Sequence, residues 1–372
     1  IGGNTALTSI TTDVGGTLNL NGGAITTSGA QSYGEAVTLG ADTTLGSTNT
    51  GAISFADTID GAHALTITDA GTATLSAAVG NLTPLTGLNI AGTSVQVSEL
   101  TVTGDVTIVT GGALQFNNTT IGGNLSVTTG RNGSGGVSQV SSSTLIVTGN
   151  AVFTADTAQA QDAALNSSGN DFQGTVAFRN ANNGSWRNVA VVDSQGSLAL
   201  ADVATTGHLN ISAVGAVSLG SATSAGTLTL QANGNVTQSG PLVVAGASNI
   251  DAGTGAVTLS DSANDFGGAL ALTAASATVV DGVSGLELGD VQITAGALSV
   301  RSDGGAITQA PNGIVSAAAS SSFIASLNGP GTAAANIELA NTGNNFGGTV
   351  DLDGAAVSVA DADALQLGDV RA

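Results

Sequence analysis

The stretch Asn264-Asp265-Phe266-Gly267-Gly268 constrains the fold most, because it recurs. It returns as Asn344-Asn345-Phe346-Gly347-Gly348 and has an earlier counterpart in Asn170-Asp171-Phe172-Gln173-Gly174. Each copy runs into an alternating apolar segment: Val176 and Phe178, Leu270 and Leu272, Val350 and Leu352. A second echo follows each copy, at residues 198–203, 286–291 and 365–370. Asn264 and Asn344 lie 80 residues apart, Leu286 and Leu365 lie 79 apart, and residues 1–10 align without gaps to residues 79–88. Independent motifs thus report one module of nearly constant size. Recurrence at such a period marks a stacked architecture, in which each module buries its faces against its neighbours.

A shorter period sits inside the module. Gly215-Ala216-Val217, Gly234-Asn235-Val236 and Gly255-Ala256-Val257 are spaced 19 and 21 residues apart, and Gly296-Ala297-Leu298 lies 41 further on. Each glycine opens a short run in which apolar and polar residues alternate, the period of a strand with one face inside. Gly, Asn, Asp and Ser separate the runs and supply the turns. No segment sustains a 3.6-residue apolar period; the best helical candidate, residues 155–165, is expected to be a loop or one short helix.

These two periods predict an all-β chain coiled into a parallel β-helix (a β-solenoid) with about 20 residues per rung and ~80-residue higher-order repeats. Successive rungs pair at about 4.8 Å, so 372 residues make roughly 18 rungs and a rod on the order of 90 Å long. The expected organisation is a single continuous solenoid over residues 1–372, with approximate modules 1–78, 79–169, 170–263, 264–343 and 344–372. Because it opens and closes inside repeats, the chain reads as a fragment of something longer. Val, Leu, Ile and Ala are expected inside, with Thr, Ser, Asn and Asp outside, and Phe172, Phe266 and Phe346 as core plugs. The competing topology is an array of antiparallel sandwiches or barrels of about 80 residues each; the ~20-residue sub-period favours the coil.

Composition excludes several functions. The chain carries five Arg, no Lys and 26 acidic residues, a net charge of −21. Phosphate contacts need clustered Arg and Lys, so nucleic acid is not an expected partner, and neither is an anionic lipid surface. No apolar run approaches the ~20 residues that span a bilayer as a helix, so membrane insertion is not expected. There is no Cys to report on redox compartment or to act as a nucleophile.

The combination of Asn-Asp-Phe-Gly-Gly with the Leu-x-Leu-Gly-Asp-Val echo, Gly305-Ala306-Ile307-Thr308-Gln309 and Asp60-Gly61-Ala62-His63-Ala64-Leu65-Thr66 resembles the repeat regions of giant bacterial surface proteins of the filamentous haemagglutinin type. The resemblance covers essentially the whole chain and is specific for architecture. It implies a right-handed parallel β-helix and an extracellular, Gram-negative cell-surface setting. It also implies export through two-partner secretion or an autotransporter-like route with an outer-membrane transporter, and roles in adhesion, aggregation or biofilm matrix. The expected function is therefore a structural stalk or scaffold, with a specific glycan- or protein-binding module as the alternative and a polysaccharide-degrading enzyme as a third reading.

The candidate sites are few. His63 and His208 stand near no Ser/Asp constellation in the sequence, and one Trp and one Tyr are too few for a sugar groove, so no catalytic residues and no cofactor are expected. Asp351/Asp353 and Asp361/Asp363 place paired carboxylates on one strand face, but no Ca²⁺ loop accompanies them; a solvated acidic face is expected rather than a metal site. The one break in regularity is a lengthened spacing between module Phe and Leu echo: 26 residues after Phe172, against 20 after Phe266 and 19 after Phe346. The extra residues fall in 179–188, which hold the only Trp and two of the five Arg. Insertions in solenoids map to loops that often bind, and Trp with Arg is a hot-spot pairing. Trp186, Arg187 and Arg179 are therefore the candidate contacts for a host, neighbouring-cell or matrix polysaccharide. The bland alternative is a loop whose Trp folds back over the edge of the coil.

Overall fold

The computed structural model describes residues 1–372 apart from Thr157 and residues 328–333, and only the backbone of Asp69 and Ala70. It is all-β, with no helix among the described residues, and its parallel strands stack as a β-solenoid of about 17 turns and about 21 residues per turn. The chain divides into two compact units, Ile1–Gln195 and Gly196–Ala372.

In the second unit a typical turn contains three short strands, Val236–Gln238, Leu242–Val244 and Ser248–Asp251. Each lies in register on its counterpart one turn earlier and one turn later. Leu198, Val217, Val236, Val257, Ala277 and Leu298 form one such column, and all are buried. Side chains alternate as the pleat requires: in Leu228–Gln231 the two leucines are buried while Thr229 and Gln231 face out. Burying an aliphatic side chain this way contributes about 1.5–3 kcal/mol, and the column repeats the gain at every turn. Because the rest of the turn is itself the crossover, parallel pairing here needs no helix.

The first unit is built likewise. Thr17–Leu20, Ala36–Leu39 and Ile59–Asp60 form one small parallel sheet. Leu100–Val102, Thr119–Ile121, Leu145–Val147 and Asp171–Phe172 form another. Residues 155–165 depart from expectation. Ala160–Leu165 is a strand, registered on Val137–Gln139 and on Ser185–Asp193, with Gln161, Ala163 and Leu165 turned inward. The helix-favouring Ala and Gln composition is overridden by the column waiting on both sides.

Corners are held by polar side chains that reach one turn along the coil. Asp105 Oδ1 accepts the Asn124 backbone N–H at 2.7 Å, Asn124 Oδ1 accepts that of Asn150 at 3.0 Å, and Asn150 Oδ1 accepts that of Thr175 at 2.9 Å. His208 makes the same kind of link, its Nδ1 accepting the Thr227 N–H at 3.2 Å. Close stacking also dictates glycine at one corner: Gly61 has φ +127°, and a Cβ there would lie 2.3 Å from the Leu39 carbonyl oxygen.

The module and the turn are out of step. Asp265–Phe266 continues the column Ala204, Thr223, Val243. The next copy, Asn345–Phe346, continues the neighbouring column Ser212, Gln231, Asp251, Thr273, Gln292, Ser316. Two successive copies of the motif in this unit therefore stand on adjacent faces of the coil.

Candidate functional site

Two places carry the side chains that the sequence singles out: the recurring Asn-x-Phe motif and the lengthened corner at 179–188.

In the motif, the asparagine does the most. Asn264 is fully buried. Its Oδ1 accepts the Leu242 N–H and the Gln238 Nε2–H, both at 2.8 Å. Its Nδ2 donates to Gln238 Oε1 at 3.0 Å, to the Val280 carbonyl at 3.0 Å and to the Leu259 carbonyl at 3.3 Å. One side chain thus ties together the turn before, its own turn and the turn after. Asn344 repeats the arrangement with Gln309, Val315, Leu339 and Ala360. Asn170 repeats it with Gln139, Leu145 and Leu165. The reciprocal pairing with a half-buried Gln amide leaves little of the buried Asn side chain unbonded, which is the condition for burying it without a large penalty. Phe172, Phe266 and Phe346 are buried beside these clamps, as core plugs.

An aspartate completes the clamp in the second unit. Asp281 is fully buried; its Oδ2 accepts the Phe266 N–H at 3.0 Å and its Oδ1 accepts those of Val283 and Ser284 at 3.2 Å. Burial pushes its carboxyl above the usual carboxylate range, against the opposing pull of those three backbone donors. Asp361 holds the Phe346 N–H in the same way. Sequence reading found the Phe and missed the Gln and the Asp. Their signal was present as Val-Ser-Gln139, Val-Thr-Gln238 and Ile-Thr-Gln309 ahead of each motif, and Val-Val-Asp281 and Val-Ala-Asp361 after the later two copies.

The lengthened corner belongs to the first unit. Strand Thr175–Asn180 ends in a turn over residues 181–184, where Asn182 (φ 47°) and Asn183 (φ 63°) adopt the left-handed conformation, and strand Ser185–Asp193 follows. Trp186, expected to meet a ligand, is instead fully buried. Its indole N–H donates to the Arg179 carbonyl at 3.0 Å, and its ring stands edge-on to Phe178 at 5.8 Å. Phe178 in turn stacks on Phe153 at 5.4 Å. The indole is a packed part of the core, because that is where its large apolar surface and single donor are both satisfied.

A register shift sets this orientation. Gln161 pairs with Trp186 and Asp162 with Asn188, so Arg187 is the extra residue of a bulge. It points outward, its guanidinium on Asp162, with Nε to Oδ1 at 3.0 Å. That pairing holds the Asp162 carboxyl below the usual range, the Arg187 hydrogen bond being the chief cause. Beside it, Arg131 Nε reaches Asp156 Oδ2 at 3.0 Å, and Asn182 Nδ2 donates to Asp156 Oδ1. The structure therefore brings Trp186 and the Arg179 backbone together inside the coil and keeps Arg187 outside. The Arg179 side chain is exposed, and among the described residues it alone of the five arginines has no carboxylate partner.

The acidic pairs at the end of the second unit are used locally. Asp351 Oδ1 accepts the Asp369 N–H at 2.8 Å, Asp353 lies 3.5 Å from Arg371, and Asp363 caps the Ala364 N–H at 2.6 Å. His63 lies 3.5 Å from Asp42.

Stacked parallel turns with internal side-chain clamps define a repeat β-solenoid. The chain belongs to a family described as repeats of unknown function (DUF5649), whose model matches residues 103–179, 210–273 and 274–353, more than half of the sequence. Each matched segment contains one complete Gln–Asn clamp: Gln139 with Asn170, Gln238 with Asn264, Gln309 with Asn344. No curated protein and no solved structure matches the chain.

Proposed function

We propose that the chain is a structural stalk or scaffold segment of a secreted, surface-associated bacterial adhesin, serving adhesion, aggregation or biofilm matrix and performing no catalysis. One observation carries this reading: the side chains that recur with the module, the Gln, the Asn and the Phe, are spent on holding turns together inside the coil. Side chains used in this way build length. The resemblance to haemagglutinin-type repeats supplies the setting: the Gram-negative cell surface, reached through an outer-membrane transporter. Antibodies raised against the chain should label intact producing cells, and mild protease treatment of those cells should release fragments. Labelling that appears only after lysis would sink the proposal.

Arg179 favours a second reading, in which the lengthened corner grips a matrix or cell-surface polysaccharide. Its guanidinium is exposed and without a carboxylate partner among the described residues of a strongly acidic chain. A glycan array would then give saturable binding that Arg179→Ala abolishes. Trp186→Ala does not discriminate here, because the indole is packed inside.

A further inference from the structure

We propose that Asn21 and Asn233 are sites of spontaneous modification, converting to aspartate and isoaspartate while the chain is folded, and that Asn132, Asn183 and Asn312 are held back by their turns. All five precede glycine, the neighbour that hinders the reaction least. Asn328–Gly329 lies outside the described residues. In the reaction the deprotonated glycine nitrogen attacks the asparagine Cγ. The N–Cγ bond forms, the Cγ–Nδ2 bond breaks, and ammonia leaves. Water then opens the resulting succinimide at either carbonyl, so a neutral amide becomes a carboxylate.

The five sites differ in what the glycine N–H is doing. Gly133 donates to the Gly130 carbonyl at 3.0 Å, Gly184 to Ala181 at 2.6 Å, and Gly313 to Ala310 at 2.9 Å. Each of these turns is closed by the very nitrogen that must attack, and Gly184 and Gly313 are buried as well. Among the described residues Gly22 and Gly234 donate to no acceptor, and both Asn21 and Asn233 are exposed. The glycines of the two open sites differ in room. A Cβ on Gly22 would meet nothing within 4 Å, whereas one on Gly234 would lie 2.9 Å from the Ala216 nitrogen, and one on Gly255 would lie 2.3 Å from the Gly234 carbonyl carbon. Isoaspartate adds a methylene to the backbone, so at residue 233 it displaces neighbouring turns.

The test is peptide mapping by mass spectrometry of the folded chain during incubation at mildly alkaline pH. Asn21 and Asn233 should convert about fivefold faster than the three closed sites, the factor that one net hydrogen bond confers. In urea the five rates should converge, since the dipeptide is then the same everywhere. Equal rates in the folded chain, or faster conversion at a closed turn, would overturn the proposal. So would an Asn233 rate matching the closed set while Asn21 reacts. Hydrogen exchange on the aged protein should show lost protection at Val217–Leu219 and Val236–Gln238; unchanged protection there after conversion would overturn the account of crowding at residue 233.

Discussion

The clamp around Asn264 and the lengthened corner around Trp186 solve one problem by opposite means. Both sit where a turn of coil departs from the plain aliphatic column. At Asn264 the interior is polar, and it is held by directed hydrogen bonds to backbone groups of three turns. At Trp186 the interior is aromatic, three rings packed on one another with the indole N–H on the Arg179 carbonyl, and the charges lie outside on Arg187 and Asp162. The clamp recurs; the aromatic corner does not. A directed network can be copied from module to module because each donor and acceptor is backbone or a short amide. A ring stack must be refitted to each cavity.

The sharpest way to break the comparison is Asn264→Leu. It removes no bulk but strands the Leu242 N–H, the Gln238 Oε1 and two carbonyls, while Gln238 Nε2 keeps the Gly240 carbonyl. At about 1–3 kcal/mol for each stranded buried group, a loss of roughly 4 kcal/mol or more is expected in urea melts. A loss below about 1 kcal/mol would mean that water or a shifted Gln238 replaces the clamp.

Trp186→Ala should cost about 3–4 kcal/mol by leaving a cavity against Phe178. Hydrogen exchange should locate the damage near Phe153, Phe178 and Gln161, since turns in a solenoid depend on their neighbours. An unchanged melt would return the indole to the surface and revive it as a ligand contact.

A pH series separates the two regions by sign. Asp281 has a raised carboxyl in the folded chain, so the stability it contributes is full below the unfolded carboxylate value and is lost as pH rises through its folded value. Asp162 is lowered, so its contribution is present above the unfolded value and is lost as pH falls through its folded value. Melts from about pH 3 to about pH 7 should show Asp281→Ala losing most relative to the parent at the acid end, and Asp162→Asn losing most at the neutral end. Parallel curves would refute the contrast.

The smallest effect is expected of Arg187→Ala. The exposed guanidinium is screened by solvent and salt, so its melt should lie close to that of the parent, and closer still at high ionic strength.

Much of the coil was legible in the sequence. The glycine-strand spacing gave the length of a turn to within a residue or so, and the alternation gave inside from outside, because both are properties of single strands. What brings distant strands together was not legible. Gln238 and Asn264 are 26 residues apart, and nothing local marks them as partners until the coil places one turn on the next. Trp186 was misjudged for a related reason. Added length correctly implied a lengthened corner, but one bulged residue decides which side chain turns inward, and a bulge leaves no mark in composition. Its best clue was that Trp186 extends the ring series begun by Phe153 and Phe178. Residues 155–165 were obscured by Ala and Gln, whose intrinsic preference carries no information about waiting neighbours.

That successive motif copies occupy adjacent faces has a consequence for how such a chain can lengthen. With three strands to a turn, the coil presents three faces, each a column of stacked strands, and a duplicated module need not be cut to a whole number of turns to engage it. Whichever face the new copy meets, it finds an aliphatic column and a carbonyl row of the same pitch. Growth by duplication is therefore indifferent to phase, and anything a module displays outward is carried round the axis as copies accumulate.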